Sequence, residues 1–127
     1  MTAETAFERL RTEMLPLYTE ADLALVKRAY EFAADAHKLQ KRASGEPYII
    51  HPLATATTLA EMRLPIPIIV AGILHDVPED TDKTLEDVEA AFGPEVMKLV
   101  AGITKLGKIK YRGMERYVEN LRKMFLA

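Results

Sequence analysis

Apolar residues recur at helical spacing along nearly all of the chain, and no segment keeps the alternation of a half-buried strand. The first two such segments are residues 3–14, interrupted near Pro16, and residues 20–40. Both place their apolar side chains three and four positions apart, as an amphipathic helix packed on a core does. The pattern therefore predicts an all-α fold that begins with two amphipathic helices.

A loop over residues 41–48, which contains glycine and proline, leads into a more apolar part of the chain. The next helix is predicted to begin at His51, because Pro52 in a first turn loses no hydrogen bond, and to end near Arg63. Residues 67–77 follow and are apolar on almost every side. A helix without a polar face lies in the centre of a domain.

Polar and Gly-Pro breaks divide the second half of the chain. Residues 78–83 predict a loop, and Thr84 with Asp87 three positions later predicts a capping box at the start of a short helix. Gly93 and Pro94 end that helix and open the next one, which is predicted over residues 95–106 before a break over residues 107–113.

The C-terminal residues predict one more helix, which has no stop signal before Ala127. We therefore expect residues 1–127 to form one all-α helical bundle that is incomplete at its C-terminus. Met124 and Phe125, on the apolar side of that helix, would then lack part of their packing. An exposed apolar surface of this kind favours self-association.

Composition excludes several classes of protein. The formal net charge is −2, from 17 basic and 19 acidic residues, whereas nucleic-acid-binding domains usually have a clear basic excess. Cysteine is absent, which excludes disulfides and thiolate ligands. The longest apolar stretch is residues 66–74, far short of the roughly 20 residues that span a bilayer. We expect a soluble, cytoplasmic protein that binds neither nucleic acid nor membranes.

Three side chains of metal-ligating types flank the apolar central segment. His51 lies 24 positions before His75, and Asp76 follows directly. Such a mixed nitrogen and oxygen set suits manganese, iron or zinc. A cation held there would polarise a phosphoryl oxygen and lower the pKa of a bound water. An isolated His-Asp pair is usually structural, but this pair closes a buried helix, where polar groups need partners.

Two acidic residues come next, because Glu79 and Asp80 follow His75 by four and five positions. They are expected near the metal site without being ligands. Carboxylates in such a place can orient or activate water.

Two cations and a third histidine lie upstream, towards the end of the second predicted helix. Lys41 and Arg42 either interact with the helix dipole or contact the phosphate and guanine of a nucleotide, for which the planar guanidinium of Arg42 is better suited. His37 lies beside small residues on a helix face, and we interpret it as a packing residue or as an outer support of the site.

Four segments carry a resemblance to a known family: AHKLQKRASGEPYIIHPLATATTLAEM, AGILHDVPEDTDKTLEDVEAAFG, VAGITKLGKIKY and ENLRKMFLA. Over residues 30–127 they resemble the HD hydrolase domain of RelA/SpoT homologues. The resemblance implies hydrolysis of the alarmones ppGpp and pppGpp by a manganese-activated water that attacks the 3′-diphosphate. Bifunctional members also contain a synthetase domain, so the name GTP pyrophosphokinase would describe a reaction that these residues do not perform.

The resemblance also implies a role for each candidate residue. The manganese ligands would be His51, His75 and Asp76. The acidic pair that supports hydrolysis would be Glu79 and Asp80. The nucleotide pocket would be lined by Arg42, with Lys41 beside it.

The sequence departs from the family in ways that affect the expected activity. The family's next metal ligand is an aspartate in a segment resembling KLADRLHN, and the sequence contains no such segment. Ala43 replaces a frequent lysine, Leu39 replaces a frequent glycine, and Pro78 would place Asp80 on a loop. We therefore expect the chain alone to be a weak or inactive hydrolase. The alternatives are a generic HD-type nucleotide phosphohydrolase and a non-catalytic regulatory or binding fragment.

Overall fold

The structure is a computed structural model that describes residues 1–109 of the chain. Within these residues the elements are α1 (Ala3–Met14), α2 (Glu20–Ala36), α3 (Ile50–Glu61), α4 (Ile66–Leu74), α5 (Val77–Asp80), α6 (Leu85–Phe92) and α7 (Pro94–Ile109). The extended pairing found in this part of the chain is one isolated bridge between Lys41 and Pro47. The all-α prediction is confirmed.

Side-chain caps fix the starts of several helices. The predicted capping box of α6 is confirmed: Thr84 Oγ1 accepts from the Asp87 amide at 3.2 Å, and Asp87 Oδ2 accepts from the Thr84 amide at 2.9 Å. An equivalent box joins Thr19 and Asp22 at the start of α2. These bonds satisfy amide groups that have no partner within the helix.

Helix α2 ends four residues earlier than the apolar pattern predicts. Its last residue is Ala36, and the loop that follows folds back on itself. The Tyr48 amide donates to the Gln40 carbonyl at 3.2 Å, and the Arg42 amide donates to the Glu46 carbonyl at 3.0 Å. The backbone has to leave the helix before residue 40 in order to make this pairing.

The apolar segment over residues 67–77, which was predicted as one helix, is divided between two helices. Helix α4 ends at Leu74, and the chain turns at residues 75–76 before the short helix α5 begins. Pro78 lies in the first turn of α5, where a missing amide costs no intrahelical bond. The prediction that Asp80 lies on a loop is therefore wrong, because Asp80 is the last residue of α5.

Helix α7 is longer than predicted. The sequence indicated a break at Gly107, whereas the helix continues without interruption to Ile109. The predicted final helix, with Met124 and Phe125 on its apolar side, lies outside the described residues.

The core is organised around α4. Every residue from Ile69 to Leu74 is buried, and α4 packs against α2, α3 and α7. Helix α1 also packs against α3. The prediction that the apolar segment forms the central helix is confirmed. None of the helices described here is long and apolar enough to cross a membrane.

The burial of Leu53 on α3 makes a prediction about stability. Leu53 is 0% exposed, so Leu53→Ala leaves a cavity in the core and is expected to lower the free energy of unfolding by about 2–5 kcal/mol. Leu17→Ala is the matched control, because that side chain is 54% exposed and its loss should change the same quantity by less than about 0.5 kcal/mol. Urea denaturation followed by circular dichroism measures both. Equal losses in the two variants would contradict the described core.

Candidate metal centre

Two packed helices bring the three predicted ligand residues together. His51 lies in the first turn of α3, and the His75-Asp76 pair forms the turn that follows α4. Their ligand atoms all lie within 4.8 Å of one another, and the three side chains are half-buried. The centre therefore lies where the first turn of α3 meets the C-terminal end of the buried helix α4.

A backbone carbonyl fixes the orientation of the His75 ring. Nδ1 lies 2.6 Å from the Gly72 carbonyl oxygen, which can only accept, so Nδ1 carries the proton and donates it. The other ring nitrogen, Nε2, lies 3.2 Å from Asp76 Oδ2. Metal-binding histidines are commonly held in this way, with one nitrogen bonded to the protein and the other facing the ion.

The charges of the centre are strongly coupled. Burial alone would lower the pKa of His75, but the hydrogen bond and negative charge of Asp76 outweigh it and raise that pKa. Burial alone would raise the pKa of Asp76, but its bonds with His75 and Tyr48 lower it to about 2. The pKa of His51 is lowered by burial and by the positive charges of His75 and Arg42.

These properties fit a divalent cation. Near neutral pH, His51 is neutral and Asp76 is ionised, which are the protonation states that metal ligands need. His75 Nε2 lies 3.2 Å from Asp76 Oδ2, and a cation would compete with a proton for that nitrogen. One carboxylate and two imidazoles form a mixed oxygen and nitrogen donor set.

The acidic pair lies on the short helix that follows the ligands. Glu79 and Asp80 are both exposed on α5. Asp80 Oδ2 accepts a hydrogen bond from the Tyr48 hydroxyl at 3.2 Å, and the same hydroxyl donates to Asp76 Oδ2 at 2.8 Å. The carboxylates of Asp80 and Asp76 are therefore joined through one side chain.

Lys41 and Arg42 lie in the loop between α2 and α3, and both are exposed. The prediction that they lie at the end of α2 is wrong, since α2 ends at Ala36, so the helix dipole does not account for them. The loop turns tightly at Gly45, whose φ of 89° favours glycine and whose amide donates to the Arg42 carbonyl at 2.8 Å. The effect of Arg42 on the pKa of His51 places its charge near the centre.

Two residues around the acidic pair, Tyr48 and Gln40, were not predicted as parts of the site, whereas His37 was interpreted as a packing residue or an outer support of it. Tyr48 bonds to Asp76 and Asp80, and burial and these carboxylates raise its pKa well above the ordinary value. Gln40 Nε2 donates to the Asp80 carbonyl oxygen. His37 is the C-cap of α2, and its ring packs on Tyr48. The sequence feature that could have indicated a role for Tyr48 in the site is its position three residues before His51.

A comparison with protein families shows the family to which the chain belongs. The family model of the HD domain matches residues 29–127, a range that contains all three ligand residues and the acidic pair. The chain belongs to the HD domain family. HD domains bind divalent metals, and the His, His and Asp cluster of this HD domain provides a set of groups for one.

Several curated proteins are similar to this HD domain. A guanosine-3′,5′-bis(diphosphate) 3′-pyrophosphohydrolase of Vibrio cholerae is 48% identical over 122 residues, which cover 95% of this chain and 17% of that protein. The bifunctional (p)ppGpp synthase/hydrolase SpoT of Escherichia coli is 46% identical over 122 residues, with the same coverage of 95% and 17%. A GTP pyrophosphokinase of Myxococcus xanthus is 44% identical over 114 residues, covering 87% and 15%.

These similarities confirm the resemblance to the HD domain of RelA/SpoT homologues. The chain spans about one sixth of the length of the curated relatives it matches, 17% in the first of them. The similarity therefore concerns one part of proteins that are much longer.

The raised pKa of His75 makes a prediction about metal binding. The Nε2 atom has to lose its proton before it can bind a cation. Protons therefore compete with a divalent cation for Nε2, and we expect the affinity for Mn²⁺, used here as the probe ion, to rise as the pH increases through the raised pKa of His75 and to decrease at lower pH. Isothermal titration calorimetry between about pH 6 and pH 8, in two buffers of different ionisation enthalpy, measures the affinity and the protons released. His75→Ala should abolish both. An affinity independent of pH would contradict this account.

Proposed function

We propose that this HD domain belongs to a Mn²⁺-dependent (p)ppGpp 3′-pyrophosphohydrolase. The observation that carries the proposal is the cluster of His51, His75 and Asp76, with Asp80 joined to it through Tyr48. The family membership and the names of the Vibrio and Escherichia relatives support the choice of substrate.

The metal site is assigned to His51, His75 and Asp76 as ligands. When bound, Mn²⁺ supplies positive charge at a phosphoryl oxygen and lowers the pKa of a bound water. The residues of the chain contribute the arrangement of this site: Gly72 fixes the His75 ring through its carbonyl, and the low pKa of Asp76 keeps its carboxylate ionised.

Glu79 and Asp80 are proposed as the catalytic pair. Both carboxylates are exposed on α5 and can accept hydrogen bonds from a water molecule beside the metal site. In the reaction, the water oxygen forms a bond to the phosphorus attached to the ribose 3′ oxygen, and the bond between that phosphorus and the 3′ oxygen breaks. The carboxylates take the proton of the water, and a proton returns to the 3′ oxygen. The products are pyrophosphate and GDP or GTP.

Arg42 and Lys41 are proposed to bind the nucleotide. They are exposed in a loop whose Arg42 charge acts on His51, so an anionic substrate at the metal centre would lie near them. The planar guanidinium of Arg42 can donate two parallel hydrogen bonds to a phosphate or to the guanine edge. Ala43 beside them contributes no charge, which reduces the number of cationic contacts.

We also propose that residues 1–127 alone hydrolyse the alarmone slowly. The sequence supplies three ligands and contains no KLADRLHN-like segment, which brings a further aspartate in the family that the chain resembles. Loss even of groups that only support metal ligands typically reduces affinity or activity about 10- to 100-fold.

The first test is release of pyrophosphate from labelled ppGpp with the protein in excess, so that a slow reaction can be followed. We expect Mn²⁺-dependent release that falls at least about 100-fold in the Glu79→Ala/Asp80→Ala variant, because both proton acceptors are lost. Equal rates in the two proteins would contradict the assignment of the acidic pair. A rate in the usual enzymatic range of about 1–1,000 per second would contradict the proposal of slow hydrolysis.

The same assay separates the alternatives. Faster release of phosphate or pyrophosphate from another nucleotide would favour a generic HD-type nucleotide phosphohydrolase. Mn²⁺ binding without hydrolysis of any nucleotide would favour a non-catalytic binding or regulatory role.

Arg42→Ala tests the nucleotide contact. Loss of a charged hydrogen bond costs about 1.5–3 kcal/mol, so the ppGpp concentration at half-maximal rate should rise about 10-fold or more, whereas Mn²⁺ affinity should not fall, because the variant removes a positive charge. Arg11→Ala is the control, because Arg11 is an exposed arginine that pairs with Glu8 within α1. An unchanged half-maximal concentration in Arg42→Ala would remove Arg42 from the nucleotide site.

A further inference from the structure

The hydroxyl oxygen of Tyr48 contacts both a proposed metal ligand and a proposed catalytic residue. Its hydroxyl lies 2.8 Å from Oδ2 of Asp76, a proposed metal ligand, and 3.2 Å from Oδ2 of Asp80, a proposed catalytic residue. A phenol has one proton to donate, so the two carboxylates compete for it. The shorter distance to Asp76 indicates that its carboxylate is the preferred acceptor.

The ring of Tyr48 packs against the ring of His37. The two ring centroids are 4.7 Å apart with an interplanar angle of 31°. His37 is 2% exposed, and its Nδ1 lies 3.1 Å from Gln40 Oε1. Because the Gln40 amide also donates to the Asp80 carbonyl, the same loop fixes the tyrosine ring and the backbone that carries the catalytic carboxylate.

This arrangement has a consequence for cation binding. Asp76 Oδ2 is bonded to both His75 Nε2 and the Tyr48 hydroxyl. A cation at the centre would compete with the His75 side for Asp76, while the bond from the Tyr48 hydroxyl would keep that carboxylate in its orientation. The same hydroxyl also lies within hydrogen-bond distance of Asp80 and limits the rotation of that carboxylate.

We propose that Tyr48 is a positioning residue, which orients the ligand carboxylate of Asp76 and the catalytic carboxylate of Asp80 through its one hydroxyl. The effect on hydrolysis rests on the proposed function, whereas the effect on cation binding does not. The two effects are therefore measured separately.

The first experiment uses Mn²⁺ alone as the probe. Tyr48→Phe keeps the ring that packs on His37 and removes only the hydroxyl, so Mn²⁺ affinity measured by calorimetry or by electron paramagnetic resonance should fall about 10-fold. Tyr18→Phe is the matched control, because it removes a half-buried tyrosine hydroxyl that donates to the Leu64 carbonyl at 2.7 Å. A loss of affinity in Tyr48→Phe that does not exceed the loss in Tyr18→Phe would overturn the role at Asp76.

The second experiment is a double-mutant cycle on ppGpp hydrolysis at saturating Mn²⁺. Tyr48→Phe should slow pyrophosphate release at least about 10-fold with Asp80 present and less than about 3-fold in the Asp80→Asn background, because the hydroxyl acts through that carboxylate. A role limited to stability would give the same loss in both backgrounds and would overturn the role at Asp80. If the wild-type chain releases no pyrophosphate, the proposed function fails, and the Mn²⁺ titration still decides the role at Asp76.

Discussion

The close packing of α3 against α4 is the constraint on which the metal centre depends. A side chain at Gly72 would place its Cβ atom 2.6 Å from Leu59 Cδ1, so the end of the Leu59 side chain would have to move, and the glycine eases the close approach of the two helices. This approach brings the first turn of α3 beside the end of α4, and with it His51 beside His75. The carbonyl of Gly72 also fixes the His75 ring. One residue therefore contributes both to helix packing and to ligand orientation.

Much of this architecture could be predicted because its causes are local. The periodicity of apolar residues located the first helix and the buried central helix, and Thr84 with Asp87 located the start of α6. Candidate ligand residues could be predicted because a polar pair at the end of an apolar helix requires partners. The resemblance to a family implied that His51 belongs to the same site. The structure describes the packing of α3 against α4 that brings His51 close to this pair.

Most of the errors came from interactions between distant parts of the chain, and one came from a local pattern with two readings. Helix α2 ends at Ala36 because the backbone of Gln40 pairs with Tyr48, a contact that no local pattern reveals. The short helix α5 includes Asp80 because Pro78 occupies a first turn, whereas a proline in the sequence also indicates a loop. The role of Tyr48 depends on carboxylates 28 and 32 positions away, so its identification required the folded arrangement.

Two of the three proposed ligands, His75 and Asp76, lie at the end of the buried helix α4, so a cation bound as proposed would also affect the stability of the fold. A cation that binds the folded chain and not the unfolded chain stabilises it by an amount that grows with its free concentration, about 2.7 kcal/mol at 100 times the dissociation constant. His75 and Asp76 directly follow Leu74, which is 0% exposed. A shortage of the cation would thus remove the chemistry of the centre and also make the central helix more accessible to unfolding and proteolysis.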